Sequence, residues 1–246
     1  MILTPLKRAK SLISYRDSRL WRALPYQTRQ LLFKCQYPRR SRKVRRKVND
    51  LEGLGLYRER KAVFVQIPKT ASTSIAKGLF GNPIGEHLRL DEYELIFNKQ
   101  ELENAFKFCF VRNPWDRFVS GFHYLKKGGK HGEEVGFRDK EMIGLNNVQD
   151  FALWASEHID ILMTQWVFLP QWQFIYLPGE TQSSVDFIGH FENIDEDYAF
   201  ISCQIGCVSP LPHMNKTVNT GMDYRTHYDD ATRDVVAAIY AEDIMR

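Results

Sequence analysis

Residues 64–75 concentrate groups that can hold an anionic ester. An apolar run, Phe64–Ile67, leads into Pro68-Lys69-Thr70-Ala71-Ser72-Thr73-Ser74, which joins one lysine to four hydroxyl residues, and a helix is predicted to follow. Backbone N–H groups at a helix N-terminus, with a dipole worth roughly half a unit charge, attract anions. The segment lacks the G-x-x-x-x-G-K-[ST] pattern of a Walker A loop. We therefore expect it to bind a phosphate-like group, but not ATP in the usual manner.

A second candidate anion site follows an apolar segment further along the chain. Residues 106–111 are almost continuously apolar, as in a strand of a buried parallel sheet, and they end in Arg112-Asn113-Pro114-Trp115-Asp116-Arg117-Phe118-Val119-Ser120. Open α/β sheets bind ligands at the carboxyl ends of their strands, and the Arg112 guanidinium suits a bidentate grip on phosphate. Ser120 can donate to the same group. From the residues alone, Arg112 equally fits an ion pair with Asp116, and Ser120 equally fits small-residue packing.

The hydrophobic pattern predicts strands that alternate with helices, which indicates a three-layer α/β fold with a central parallel sheet flanked by helices. Asn113-Pro114 is typical of a helix start, because asparagine caps and proline fits the first turn. Residues 126–147 hold five glycines and nine charged residues and predict a mobile loop or lid. We expect strands at 62–67, 106–111, 173–177 and 185–190, and helices at 73–80, 91–104, 148–157, 161–168, 193–204 and 229–241.

Charge divides the 246-residue chain into two parts. Residues 1–61 carry 18 lysines and arginines against 4 acidic residues, and the remainder carries 16 against 26. We expect residues 1–60 to form a basic, helical extension and residues 61–246 to form the catalytic domain. The basic segment 39–47 is suited to a polyanion or an anionic membrane surface, or is simply solvated. It has no nucleic-acid motif, so specific base recognition is not expected.

Taken together, the two candidate anion sites resemble those of the PAPS-dependent carbohydrate sulfotransferases, which include the heparan sulfate and uronyl 2-O-sulfotransferases and bacterial relatives. The resemblance runs from about Lys61 to the C-terminus and implies a P-loop-like fold. It implies that residues 69–74 bind the 5′-phosphosulfate of PAPS (3′-phosphoadenosine 5′-phosphosulfate), and that Arg112 and Ser120 bind its 3′-phosphate. Asn215-Lys216-Thr217 resembles a polar loop near the nucleotide in that family, although it equally fits an ordinary surface loop.

Sulfuryl transfer to a hydroxyl needs a base for the acceptor proton and a cation for the leaving oxygen. Lys69 fits the second role. His87 is the candidate base, because residues 85–90 resemble the stretch in which 2-O-sulfotransferases carry a catalytic histidine; the alternative is a surface histidine paired with Glu86 or Asp91. His123 is the second candidate. We expect no metal requirement, since lysine and backbone dipoles neutralise the charge.

The expected acceptor is a carbohydrate, with anionic glycans included. Four aromatic residues can line a sugar-binding cleft or belong to the core: Trp154, Trp166, Trp172 and Tyr176. Two other functions remain open, an NTP-dependent kinase with an atypical phosphate loop and a non-catalytic protein that binds polyanions or membranes. No run reaches the ~18 apolar residues of a membrane span, and the four cysteines are expected to be free. These features favour a bacterial cytoplasmic or membrane-associated enzyme, or a Golgi-lumenal one if an anchor has been removed.

Overall fold

The computed structural model describes residues 24–36, 52–81, 87–129, 132–177, 180–212 and 223–246. The basic segment 39–47 and Lys216 lie outside these residues. The chain divides into two compact units. The first comprises residues 1–65, 86–109 and 173–188, and the second comprises residues 66–85, 110–172 and 189–246.

The described elements are predominantly short helices around three strands. In chain order they are α1 (Tyr26–Gln36), α2 (Glu52–Glu59), β1 (Ala62–Val65), α3 (Ser72–Phe80), α4 (Leu90–Tyr93), α5 (Lys99–Asn104), β2 (Phe106–Val111), α6 (Pro114–Lys126), α7 (Gly132–Glu141), α8 (Val148–Glu157), α9 (Ile159–Leu162), a 3₁₀ turn (Trp166–Phe168), α10 (Trp172–Ile175), β3 (Phe187–His190), a 3₁₀ turn (Phe191–Asn193), α11 (Ile194–Gln204), a 3₁₀ turn (Tyr224–His227), α12 (Asp230–Ile239) and α13 (Ala241–Met245).

The three strands form one sheet in the order β1-β2-β3, and β1 pairs with β2 in parallel with Ala62 opposite Phe106. All four residues of β1 are buried, as expected of a strand covered on both faces. The rings of Phe64 and Phe108 stack with centroids 4.9 Å apart. The α/β class with a parallel sheet flanked by helices is therefore confirmed.

Two buried tyrosines brace β1 within the first unit. The hydroxyls of Tyr57 in α2 and Tyr93 in α4 both donate to the carbonyl of Phe64, each over 3.0 Å. Because a carbonyl oxygen has two lone pairs, it can accept both bonds at once. The proposed boundary after residue 60 stays a prediction, although Tyr57 of α2 is only 1% exposed.

The core of the second unit forms around α6. Asn113 caps this helix, its side chain accepting from the N–H groups of Trp115 and Asp116, and Pro114 occupies the first turn as predicted. The buried ring of Phe118 packs 5.3 Å from that of Phe151 in α8 and 5.4 Å from that of Phe168. This apolar contact holds α6 in place, and with it the residues of the second candidate anion site.

The predicted loop or lid at residues 126–147 is wrong in its central part, because residues 132–141 form helix α7. Its first turn carries Glu133 and Glu134 and its last turn carries Arg138 and Lys140, which matches the helix dipole at both ends. The high glycine content of the segment favoured the prediction of a loop despite this charge pattern.

Three other predicted elements differ from the structure. The helix expected at 161–168 is wrong as a single element, because only α9 (Ile159–Leu162) and the 3₁₀ turn (Trp166–Phe168) form there. The strand expected at 173–177 is wrong: residues 172–175 are helical, and the Asp243 carboxylate accepts from the N–H group of Trp172 at the start of that helix. The single helix expected at 91–104 is divided into α4 and α5. Asn98 begins α5, and its side chain accepts from the N–H group of Glu101 in a capping box.

We expect Gly121→Ala to lower the free energy of unfolding by about 1–3 kcal/mol, because overpacking a core is destabilising. A Cβ at Gly121 would lie 2.6 Å from Cε1 of Phe168. The matched change Gly136→Ala in α7 meets no atom within 4 Å. It should raise the free energy of unfolding by about 0.5–1 kcal/mol, since alanine is the better helix former. Urea denaturation followed by circular dichroism measures both, and a destabilising Gly136→Ala would contradict the assignment of α7.

Candidate functional site

The loop between β1 and α3 contains two non-glycine residues in the left-handed conformation. Lys69 has φ 69° and Ala71 has φ 60°. This conformation costs an L-residue roughly 1–2 kcal/mol, and such strain is concentrated at functional sites. The side chain of Thr70, which is fully buried, donates to the carbonyl of Ile67 over 2.9 Å and closes the turn. The loop therefore has a defined shape that its own sequence does not favour.

The N-terminus of α3 offers donors to an anion. Ala71 occupies the N-cap position and has no side-chain oxygen, so it makes no side-chain cap bond. Ser72, Thr73 and Ser74 form the first turn of the helix, with Ser72 and Ser74 each 6% exposed. Backbone N–H groups and the helix dipole at this N-terminus attract anions, and Lys69 in the preceding loop adds a full charge. The role of residues 69–74 as an anion cradle stays a prediction.

Arg112 lies directly after β2 and contacts the first loop. Its Nε and Nη2 groups donate to the two carboxylate oxygens of Asp116, each over 2.8 Å, and its Nη1 donates to the carbonyl of Lys69 over 3.1 Å. The guanidinium also lies 4.1 Å from the centroid of the Phe191 ring. The ion pair with Asp116, one of the two alternatives, is therefore present. These bonds use three of the five N–H groups of an arginine within the described residues.

One row of α6 connects the two candidate anion sites. Asp116, Ser120 and Tyr124 are spaced four residues apart and so lie along one helix face over roughly 12 Å. At one end Asp116 binds Arg112, and at the other the ring centroid of Tyr124 lies 4.3 Å from Nζ of Lys69. Ser120, which is 7% exposed, lies between them.

Arg117 is a positioning residue for which the sequence pattern predicted no role. Its side chain is 2% exposed, and its Nε donates to the carbonyl of Pro68 over 3.0 Å. Its Nη2 donates to the carbonyls of Val167 and Leu169 over 3.1 and 2.7 Å. Burial lowers the pKa of Arg117 below its usual range, and nearby Tyr240 and Asp243 oppose that shift. A charged residue within the apolar stripe of α6 was the available signal for such a buried role.

Gln171 holds the backbone of Arg112 on both sides. Its Oε1 accepts from the N–H group of Arg112 and its Nε2 donates to the carbonyl of Arg112, each over 2.9 Å. Asp243 near the C-terminus accepts in turn from the N–H group of Gln171 over 2.9 Å. Burial raises the pKa of Asp243, while Arg117 acts in the opposite direction. No local pattern in the sequence identifies Gln171 or Asp243.

The histidine candidates lie in different units. His87 is half-buried in the first unit, shortly before α4, and its role as the base stays a prediction. His123 lies on α6 in the second unit, with its ring centroid 5.5 Å from that of His227. Burial, with smaller contributions from His227 and Lys127, lowers the pKa of His123. Lys216 lies outside the described residues, so its predicted role also stays a prediction.

The described residues contain neither a metal-binding group nor a membrane-spanning helix. Within those ranges there is no group of three or more His, Cys, Asp or Glu side chains that could hold a metal ion. No helix among the same residues is long and apolar enough to cross a membrane. The four cysteines are free, as predicted.

We expect Ala71→Gly to raise the free energy of unfolding by about 0.5 kcal/mol, because relief of the left-handed penalty exceeds the entropic cost of glycine. The matched change Ala76→Gly lies inside α3, where alanine is fully buried and helical. It should lower the free energy of unfolding by about 1 kcal/mol or more. Urea midpoints of the two variants provide the comparison, and equal destabilisation would show that Ala71 is not left-handed.

Comparisons with known proteins agree with this geometry. The family model described as "Sulfotransferase family" matches residues 56–246. A protein of Archaeoglobus fulgidus named "Uncharacterized protein" is 31% identical over 125 residues, which cover 51% of this chain and 85% of that protein. No solved structure shows a significant match. Because the family model covers well over half of the chain, including both candidate anion sites, the protein belongs to the sulfotransferase family and has its P-loop-like fold.

Proposed function

We propose that this protein transfers the sulfuryl group of PAPS to a hydroxyl of a carbohydrate acceptor. The observation that carries the proposal is the pairing of two anion-binding elements, linked by the bond from Arg112 to the Lys69 carbonyl. PAPS is anionic at two places, its 5′-phosphosulfate and its 3′-phosphate, whereas a nucleoside triphosphate carries one polyphosphate chain. Lys69 and Arg112 lie beside opposite ends of the α6 face that carries Asp116, Ser120 and Tyr124. Two separated cations match the charge distribution of PAPS better than that of a nucleoside triphosphate.

The loop at residues 69–74 fits the 5′-phosphosulfate end. In a Walker A loop, glycines supply the unusual backbone conformations and the close approach to phosphate. Here Lys69 and Ala71 adopt left-handed conformations without glycine. Thr70, Ser72, Thr73 and Ser74 surround the start of α3 with hydroxyl groups. We therefore infer that the loop binds an anion shorter than a triphosphate.

Arg112 and Ser120 fit the 3′-phosphate end. Asp116 and the Lys69 carbonyl orient the guanidinium, and among the described residues these bonds leave two further N–H groups of Arg112 for a phosphate. Ser120 lies one turn of α6 beyond Asp116 and can donate its hydroxyl. We include Lys216 as a further ligand on the basis of the family resemblance.

The chemistry assigned to the protein side chains is charge neutralisation and proton acceptance. PAPS, when bound, supplies the sulfuryl group and the leaving bisphosphate. Lys69 places an ammonium at the sulfuryl end, where it stabilises negative charge on the leaving oxygen. His87 accepts the proton of the acceptor hydroxyl. Neither role requires a metal ion.

The carbohydrate acceptor follows from the resemblance to carbohydrate sulfotransferases and from the charge of the chain. The basic segment 39–47 can steer an anionic glycan toward the site, since a concentrated positive field raises the local concentration of polyanions. The same segment is suited to peripheral contact with an anionic membrane surface, which would give the enzyme a membrane-associated location.

Calorimetric titration of the full chain with PAPS, adenosine 3′,5′-bisphosphate (PAP) and ATP tests the donor. We expect PAPS and PAP to bind and ATP to bind much more weakly. Arg112→Ala should weaken PAP binding about 10- to 100-fold, because it removes a charge-assisted contact to the 3′-phosphate. The control Arg233→Ala removes an exposed arginine of α12 and should leave the affinity unchanged. Tight ATP binding without PAP binding would favour the kinase instead.

Replacement of the proposed base separates chemistry from donor binding. His87→Ala should leave PAPS affinity unchanged and reduce turnover by about 100-fold or more, the range typical of a lost general base. The assay measures PAP release with labelled PAPS and a panel of polysaccharides. His190→Ala, at an exposed histidine, is the matched control. Unchanged turnover of His87→Ala with PAPS bound would exclude His87 and make His123 the next candidate.

A further inference from the structure

We propose that Tyr124 positions the Lys69 ammonium and that the buried carboxylate of Glu134 fixes Tyr124 for this purpose. The proposal rests on the proposed function, because it concerns the lysine at the sulfuryl end. Tyr124 and Glu134 belong to neither of the two anion-binding segments. Both lie in the second unit, as does Lys69.

The contact between Lys69 and Tyr124 is a cation–π interaction. The ammonium nitrogen lies 4.3 Å from the ring centroid, well within the range of about 6 Å over which such interactions are significant. A ring face attracts the ammonium through its quadrupole and does not accept a conventional hydrogen bond. Tyr124 can thus orient the Lys69 ammonium without neutralising its charge, whereas a carboxylate partner would neutralise it.

The ring of Tyr124 is in turn held at its hydroxyl. This hydroxyl lies 2.9 and 2.8 Å from the two carboxylate oxygens of Glu134, and Nε1 of Trp166 donates to the first of them over 2.8 Å. Glu134 is only 2% exposed. Hydrogen bonds to a charged acceptor are stronger than neutral ones, and inside a protein they are weakly screened. The plane and position of the Tyr124 ring are therefore well determined.

The glycine pair after α6 makes this arrangement sterically possible. Gly128 and Gly129 have φ of 91° and 62°, and the N–H group of Gly129 donates to the carbonyl of Tyr124 over 3.0 Å. A Cβ at Gly129 would lie 2.2 Å from Oε2 of Glu134. Only glycine permits both the left-handed turn and the close approach of the carboxylate. Gly128 and Gly129 contributed to the prediction of a flexible lid, but in the structure they help to hold the residues that position Lys69.

The inference predicts that Tyr124 acts through Lys69 and not through general stability. Tyr124→Leu should lower kcat about tenfold and change the KM for PAPS less than twofold, since the ring affects an interaction made during transfer. Tyr124→Phe keeps the ring but loses the bond to Glu134, so it should lower kcat only about threefold. Glu134→Gln should lower kcat about threefold, because the phenol is held less firmly.

A double-mutant cycle between Tyr124→Leu and Lys69→Ala tests this coupling. Turnover is measured as PAP release with PAPS and the polysaccharide found in the screen above. In the Lys69→Ala background, Tyr124→Leu should cost less than twofold. Tyr26→Leu is the matched control: it also removes a tyrosine ring from a cation–π contact, with Arg29 at 5.7 Å in the first unit, and should leave turnover unchanged.

A spectroscopic measurement supplies a readout that does not depend on transfer. The Lys69 side chain, labelled with ¹³C and assigned by loss of its signal in Lys69→Arg, should show an upfield ring-current shift that disappears in Tyr124→Leu and remains in Tyr124→Phe. Absence of that shift, or an equal loss of kcat from Tyr124→Leu in both backgrounds, would overturn the inference while the proposed function stood. A wild-type protein that neither binds PAPS nor releases PAP would overturn both.

Discussion

The buried guanidinium of Arg117 is the constraint on which the candidate site depends. A charge removed from water needs hydrogen-bond partners, and here three backbone carbonyls, those of Pro68, Val167 and Leu169, accept from the Nε and Nη2 groups of Arg117. Through the Pro68 carbonyl, Arg117 ties the anion cradle to α6. The hydrogen bonds that stabilise the buried charge of Arg117 therefore also set the position of the loop that carries Lys69.

The loop needs such an external tie because its backbone is unfavourable by itself. Lys69 and Ala71 occupy left-handed conformations that their side chains disfavour. Strain of this kind persists only where surrounding contacts exceed its cost. The bonds to the carbonyls of Pro68 and Lys69, from Arg117 and Arg112, are two of those contacts. Contacts from outside the loop therefore hold it in a defined conformation.

Arg112 makes one of the two interactions that its sequence context allowed, the ion pair, and its phosphate contact stays a proposal. Its ion pair with Asp116 is real, and Gln171 clamps its backbone from both sides. Ion pairing does not prevent phosphate binding, because a guanidinium presents donors on more than one edge. Asp116 instead fixes the orientation in which the remaining edge is presented, in the way that outer residues commonly orient a ligand-binding group.

Local sequence determined the elements that carry strong local signals. The apolar run of β2, the Asn113-Pro114 start of α6 and the helix after the lysine-hydroxyl loop were all predicted, because propensity, capping and periodicity act over a few residues. The two candidate anion sites stay predictions. The tertiary structure alone decided the rest. The Tyr124–Glu134 support of Lys69 and the Gln171–Asp243 support of Arg112 depend on contacts between residues that are ten to more than seventy positions apart. Such contacts form through packing and because buried polar groups need hydrogen-bond partners. They cannot be predicted from any short segment of the chain.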